Sequence, residues 1–526
     1  MPSTQDTSDQ SKTVSDKTPG VVYLVGAGPG HPGLITRWGY ELLQRCDAVA
    51  YDALIPMELI AELPEKVEKY YVGKRAGKHS VPQPQINELL VSLARRGLNV
   101  VRLKGGDPFI YGRSGEEKDY LAAAGIPVVM IPGVTAASAA AALSGFSLTN
   151  RQESSWVFLA TGHGAENTST PVPWDKVGTL PGGTLVIYMG LAKLDHVIEQ
   201  LLSSGLSPEI PAVAVQAAST GLQRCVEAPL ARISSECKRQ KLKPPALVII
   251  SDAIRSRSKS DEKNVGTLAG KTVLVTSPSA MMIRLCTVFR QLGAEPIPHP
   301  TVRCTRVDDD EVWRRFQKYV NDGGVCIFQS ETEVGYFVDG LLAHGMDLRN
   351  LNRFKVVAFR ESTGSALRKF GIQADRILQN LELQTLIRDI SDLIPDKTSP
   401  LIWVHGDYEN GPLEAGLRER FAEMMSLAVC RDSTTAWDAH WVEELKTSPP
   451  DYITFTSAAE VEGFVELLGE ETAQSLADRS CVAAMDDSVL EILSRYGLSV
   501  RVKTNTSSVD AFVGALIEYS KKQGTQ

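Results

Sequence analysis

The heptapeptide Gly26-Ala27-Gly28-Pro29-Gly30-His31-Pro32 follows the apolar run Val21–Val25. A glycine turn after a short buried strand lets backbone approach a ligand closely, and a nucleotide phosphate is the first chemistry to consider. The dinucleotide fingerprint wants a third glycine at the sixth position, where His31 stands, and Pro29 and Pro32 remove two N–H donors. The phosphate reading is weak, and these residues alone leave the ligand open. The eight cysteines are scattered with no C-x-x-C pair, so neither a zinc site nor a disulfide framework is indicated and no metal is expected.

The elements that must position this loop follow from the rest of the chain. A length of 526 residues allows two to four domains. Residues 1–19 are polar and have the composition of a disordered tail, with no apolar core for a signal peptide. No apolar run approaches the roughly 20 residues of a membrane span. A net charge of −8 disfavours nucleic acid, so an anionic ligand must be met by individually placed arginines. A reducing cytoplasm is the expected compartment.

The run SRSKSDEKNVG (256–266) has Val265 as its only apolar residue, and a linker is expected over 256–269. Before it, VVYLV, CDAVAYD, LNVVRLKG, IPVVMIPG, TLVIYMG and PALVIIS alternate with helix-length segments, which predicts an α/β fold over 20–255. After it, KTVLVTS, GGVCIFQS, FKVVAFR, SPLIWVHG, PDYITFTS and DRSCVAAMD repeat the rhythm over 270–520, leaving a short tail at 521–526. VCIFQSETEVGYFVDGL (325–341) echoes YITFTSAAEVEGFVELL (452–468), and the helix that follows each ends in Lys369-Phe370-Gly371 or Arg495-Tyr496-Gly497. Two similar doubly wound lobes are expected there.

Eight stretches of the first half occur together in order: GAGPGHPGLIT, AVAYD, VGKRAGKHSVPQPQIN, VVRLKGGDPFIYGRSGEE, IPGVTAASAAAALSG, LATGH, VIYMGL and PPALVII. Together they resemble uroporphyrinogen-III C-methyltransferases, a tetrapyrrole methyltransferase family with two α/β lobes and S-adenosylmethionine bound between them. The resemblance implies that the glycine loop serves close approach to a cosubstrate without phosphate. It places that cosubstrate against Pro29, Gly105, Gly106, Asp107, Ile110, Thr135, Ala136, Met189 and Ala246. It gives catalytic roles to Asp52 and Lys74, Asp52 as base or positioning group in methylation of a pyrrole carbon that must afterwards lose a proton. A homodimer through the first half is also implied, along with a place in sirohaem or cobalamin biosynthesis.

Uroporphyrinogen III carries eight carboxylate side chains, and planar bidentate pairing favours arginine for holding them. Arg75, Arg113 and Arg151 lie in or beside the motifs and are the candidates. Several positions depart from the family pattern: Ala53 where an arginine is usual, Asn150 where a histidine is usual, Gln216-Ala217-Ala218-Ser219 in place of E-N-G-T, and His31 where an acid is usual. These changes leave methylation of another corrin precursor as the alternative.

Residues 270–520 resemble uroporphyrinogen-III synthases, through KTVLVTSPSAMMIRLCTVFRQLGAEPIPHP, DYITFTSAAEVEGF and TNTSSVDAFVGAL. The resemblance implies cyclisation of hydroxymethylbilane, the step that makes the methyltransferase's substrate. Of a usual V-G-P-x-T the stretch 358–363 keeps only Thr363, and Ala484–Val489 replaces a second such motif. The alternative for this half is a non-catalytic module that binds a tetrapyrrole.

Overall fold

A computed structural model describes residues 18–64, 66–73, 81–162, 172–256, 266–378, 383–393, 399–406, 411–504 and 508–523. Its first sheet is built from β1 (Val22–Gly26), β2 (Ala48–Tyr51), β3 (Glu68–Tyr71), β4 (Val100–Lys104) and β5 (Val128–Ile131), in the order β3-β2-β4-β1-β5. Every pairing is parallel. The continuous apolar character of VVYLV is that of a central strand covered on both faces, by one cluster around Leu43, Leu59 and Leu103 and another around Leu90, Val100 and Leu121. Parallel open sheets bind ligands beyond their carboxyl ends. Those ends carry the glycine loop after β1, Asp52 after β2, Gly105 after β4 and Pro132 after β5.

The second sheet contains β6 (Trp156–Thr161), β7 (Gly183–Tyr188), β8 (Pro211–Gln216), β9 (Arg224–Pro229) and β10 (Ala246–Ile250), in the order β6-β7-β10-β8-β9. Only β6 and β7 run parallel; the three other pairings are antiparallel. The first half is thus α/β with one parallel and one mixed sheet, joined into two lobes.

Downstream lie β11 (Thr272–Val275), β12 (Glu295–Pro298), β13 (Val302–Arg306), β14 (Gly324–Phe328), β15 (Phe354–Phe359), β16 (Arg376–Leu378), β17 (Leu401–Gly406), β18 (Met424–Thr434), β19 (Tyr452–Phe455), β20 (Cys481–Ala484) and β21 (Val500–Lys503). They form a parallel sheet β12-β11-β19-β20-β21 and a six-stranded sheet β13-β18-β17-β14-β15-β16 in which only β13 runs antiparallel. The chain leaves the first of these sheets after β12 and returns to it after β18.

The internal echo has one copy in each of these sheets, at β14 and β19. Each strand leads into a helix, Glu331–Ala343 or Ala458–Leu468, capped by Ser330 or Ser457 with a buried glutamate three residues later. Glu333 folds back to accept from the N–H groups of Ser330 (2.7 Å) and Gly406 (3.1 Å). Glu460 accepts from Thr456 N–H (2.9 Å) and the Thr276 hydroxyl (2.8 Å). The Ser-x-x-Glu spacing is a capping signal, and here it also ties the helix start to a neighbouring strand.

The two halves are in direct contact. Arg290, on the helix Ser279–Gln291, reaches Glu58 of the first lobe at 2.5 Å and Glu295 at 3.2 Å. Glu295 in turn accepts from Gly221 N–H of the second lobe at 2.7 Å. Gly221 is required there, since a Cβ would stand 2.3 Å from the Ala294 carbonyl carbon. Removing the cation from this buried cluster leaves two uncompensated carboxylates, so Arg290→Met should cost about 3 kcal/mol in urea unfolding.

A second contact is aromatic: Tyr71 of β3 stacks on His440 at 4.5 Å, and His440, Trp441, His299 and Trp437 continue the cluster. Burial, reinforced by neighbouring His440, pushes the His299 imidazole down to about 4. Unfolded, that ring takes up its proton near pH 6.5; folded, it does so only near 4. Stability is therefore lost as pH falls from about 6.5 to 4, on the order of 3 kcal/mol. His299→Phe should flatten that part of the stability–pH curve, measured by denaturant titration. Among the described residues no helix is long and apolar enough to cross a membrane.

Candidate active site

Three loops at the carboxyl ends of the first sheet meet backbone to backbone. Gly28 and Gly106 form an antiparallel bridge, with Gly106 N–H donating to Gly28 C=O at 2.8 Å. A Cβ on Gly133 would lie 2.3 Å from Gly106 O, and one on Gly26 would lie 2.7 Å from the same atom. Close approach is thus required first of all between the loops themselves. Asp107 fastens the arrangement, Oδ1 accepting from Phe109 N–H (2.7 Å) and Oδ2 from Gly133 N–H (3.0 Å). Each oxygen keeps a second lone pair for a ligand.

The second lobe closes over these loops. The Thr135 hydroxyl is 2.6 Å from the Tyr188 hydroxyl, which also accepts from Ala137 N–H at 3.1 Å. Tyr111 donates to Leu159 C=O at 2.8 Å and its ring lies 5.0 Å from that of Tyr188. His31 N–H donates to the Ser219 hydroxyl at 3.1 Å, tying the glycine loop to the turn after β8. The pairing of Leu247 with Tyr188 sets Ala246 and Met189 at the same end of the second sheet. Ile110 packs on the apolar cluster containing Ala137, Tyr188 and Leu247.

Backbone strain is concentrated at this cleft. Tyr111, Arg113, Met189, Ala217 and Ser219 have φ of 57°, 56°, 51°, 46° and 68°. Non-glycine residues hold such angles only where surrounding contacts impose them, and such clusters mark functional sites. Pro29, Gly105, Gly106, Asp107, Ile110, Thr135, Ala136, Met189 and Ala246 all lie on the segments that meet here.

Asp52 follows β2 and carries a carboxylate whose side chain is 28% exposed. Oδ2 is 3.3 Å from Arg102, while Oδ1 is buried and has no hydrogen-bond partner among the described residues. Behind it lies an ion network that the sequence reading did not single out. Arg102 (4% exposed) and Lys104, on one face of β4, both reach Glu117 (0% exposed), at 3.4 and 2.7 Å. Gln83 donates to Glu117 at 2.9 Å. Burial, with Arg102 beside it, holds the Lys104 ammonium below the usual lysine range against the opposing pull of Glu117. The signal was present in VVRLKG, where two cations at i and i+2 interrupt a strand otherwise fit for full burial.

Lys74 and Arg75 lie outside the described residues. Arg113 is exposed and paired with Glu116 at 2.6 Å. Arg151 is exposed beside Asn150, whose side-chain oxygen accepts from Gln152 and Ser154 N–H at 3.1 and 3.2 Å and so shapes the turn. Thr363 is buried in the helix Arg360–Lys369 of the C-terminal half. At the head of that helix Arg360 holds φ 68°, a glycine-favouring conformation, at the glycine position of V-G-P-x-T.

Residues 21–234 match the family described as Tetrapyrrole (Corrin/Porphyrin) Methylases, and residues 284–514 match Uroporphyrinogen-III synthase HemD. The porphyrin biosynthesis protein HemD of Ruminiclostridium josui is 30% identical over 504 residues, covering 95% of this chain and 98% of that protein. A siroheme synthase of Pseudomonas aeruginosa is 45% identical over 240 residues, 46% of this chain, and the chain spans only 51% of that relative's length. The uroporphyrin-III C-methyl transferase of Thermus thermophilus, solved with S-adenyl homocysteine, is 38% identical with a TM-score of 0.39, covering 45% of this chain and all of that one. The chain belongs to the family of the porphyrin biosynthesis protein HemD, with a tetrapyrrole methylase region followed by a uroporphyrinogen-III synthase region.

Proposed function

We propose that residues 20–255 transfer methyl groups from S-adenosylmethionine to C2 and C7 of uroporphyrinogen III, giving precorrin-2 for sirohaem or cobalamin. The observation that carries this reading is the strained cleft between the two lobes with Asp52 at its edge. The cleft fits the cosubstrate: a Cβ on Gly106 would find only Ala136 N at 3.9 Å, so this glycine borders open space. Bound S-adenosylmethionine supplies an activated methyl group on a cationic sulfonium. Pro29, Gly105, Gly106, Asp107, Ile110, Thr135, Ala136, Met189 and Ala246 hold it, and the chain's main work is alignment. Asp52 takes the proton released from the tetrapyrrole, its carboxylate held by Arg102. Lys74, Arg75, Arg113 and Arg151 meet the tetrapyrrole carboxylates.

Residues 270–520, beyond the linker 256–269, cyclise hydroxymethylbilane to the compound that the first half methylates, with Thr363 the remaining motif residue. Arg360 at the glycine position favours a second reading of this half as a tetrapyrrole-binding module without turnover. The enzyme works in the cytoplasm as a homodimer joined through its first half. Calorimetric titration with S-adenosylhomocysteine tests the cosubstrate assignment. Asp52→Asn should bind like the parent and Asp107→Ala at least tenfold more weakly; the reverse pattern overturns the assignment.

A further inference from the structure

Tyr51 and Tyr71 close neighbouring parallel strands as register partners, and Val72 N–H donates to Tyr51 C=O at 2.8 Å. Their rings meet edge to face at 5.6 Å. Tyr51 directly precedes Asp52. A Cβ on Gly73 would lie 2.7 Å from both the Tyr71 ring and Ala53 N, so the bare backbone of Gly73 is what lets Tyr71 sit beside the segment that carries Asp52.

The C-terminal half supplies what packs against that ring. His440 stacks on Tyr71 with an interplanar angle of 14°, and Trp441 lies 4.5 Å from His440 and 6.2 Å from Tyr71. This platform is anchored where the chain crosses between the two C-terminal sheets. Trp437 Nε1 donates to Pro300 C=O at 2.9 Å, and the Thr435 hydroxyl donates to the same oxygen at 2.6 Å. His440 is 7% exposed, and neither ring nitrogen makes a hydrogen bond among the described residues, although Nδ1 lies 3.2 Å from Asp438. Burying an imidazole whose Nε2 has no partner among the described residues costs free energy that a hydrocarbon side chain would not. Local departures of this kind are expected where a position serves function.

We infer that His440 is a positioning residue of the methyltransferase site, fixing the Tyr71–Tyr51 pair and through it the Asp52 carboxylate, so that the C-terminal half completes the site of the first. The inference rests on the reading of Asp52 as proton acceptor. Its test is steady-state methylation of uroporphyrinogen III by the full chain carrying His440→Ala or His440→Phe, each alone and combined with Asp52→Asn. His440→Ala should lower kcat about 5- to 50-fold, as a misaligned catalytic group does, with cosubstrate affinity unchanged. His440→Phe keeps a flat ring against Tyr71 and should restore most of the rate. In the Asp52→Asn background His440→Ala should change kcat less than about twofold, because the carboxylate it aligns is absent.

An unchanged kcat for His440→Ala, or the same loss in both backgrounds, overturns the inference and leaves a packing role. A parental kcat for Asp52→Asn overturns the reading of Asp52 instead. Should His440→Ala fail to fold, His440→Leu replaces it, filling the space without a ring, and the same loss is expected.

Discussion

Asp52→Asn should bind S-adenosylmethionine like the parent and methylate roughly 10²- to 10⁴-fold more slowly, the range for loss of a positioned proton-transfer group. The geometry makes the effect specific to turnover. An asparagine keeps an oxygen able to accept from Arg102, so the strand end and the loops beside it stay in place. What it loses is the negative charge and proton-accepting capacity of the partly exposed carboxylate. Single-turnover methylation alongside cosubstrate titration separates the two effects, and a loss of cosubstrate affinity equal to the loss of rate would remove Asp52 from proton transfer.

Glu117→Gln carries the second large effect, on stability as well as activity. Glu117 is fully buried and, among the described residues, is the only carboxylate within ion-pair distance of Lys104, while it shares Arg102 with Asp52. A neutral amide leaves Lys104 with no carboxylate at ion-pair distance among the described residues and Arg102 with the partly exposed Asp52, which places the cost near the upper end of broken buried pairs, about 4–5 kcal/mol. Arg102 then has no counter-ion behind it, so the alignment of Asp52 fails as well. Urea unfolding and methylation rate should both collapse; a Glu117→Gln protein with parental stability would show that the network is not the support of this strand.

What could be read in the chain depended on whether the signal was local. The internal echo of the C-terminal half was legible because it repeats along the chain itself, and its two copies are β14 and β19 with the helices they lead into. The glycine loop was legible as a place of close approach. That its closest neighbours would be Gly106 and Gly133 was not, since those contacts join loops from three strands. Strand direction in the second sheet was equally hidden, because an apolar run reads the same whether its neighbour is parallel or antiparallel. Arg102 and Lys104 stood in plain view inside a quoted motif, and their meaning depended on Glu117 from the following helix. The stacking of Tyr71 on His440 brings together residues from opposite halves that no periodicity connects.

The most direct measurement is an oxygen-free incubation of the whole chain with S-adenosylmethionine and uroporphyrinogen III, and in parallel with hydroxymethylbilane, counting added methyl groups by mass spectrometry. Two methyl groups on uroporphyrinogen III are predicted, and two on the product from the bilane, with type III product above that of an enzyme-free cyclisation control. Turnover of uroporphyrinogen III without turnover of the bilane would make the C-terminal half a binding module. No methyl transfer to either compound would contradict the account, and would point to Ala53 and Asn150 as marks of a different acceptor.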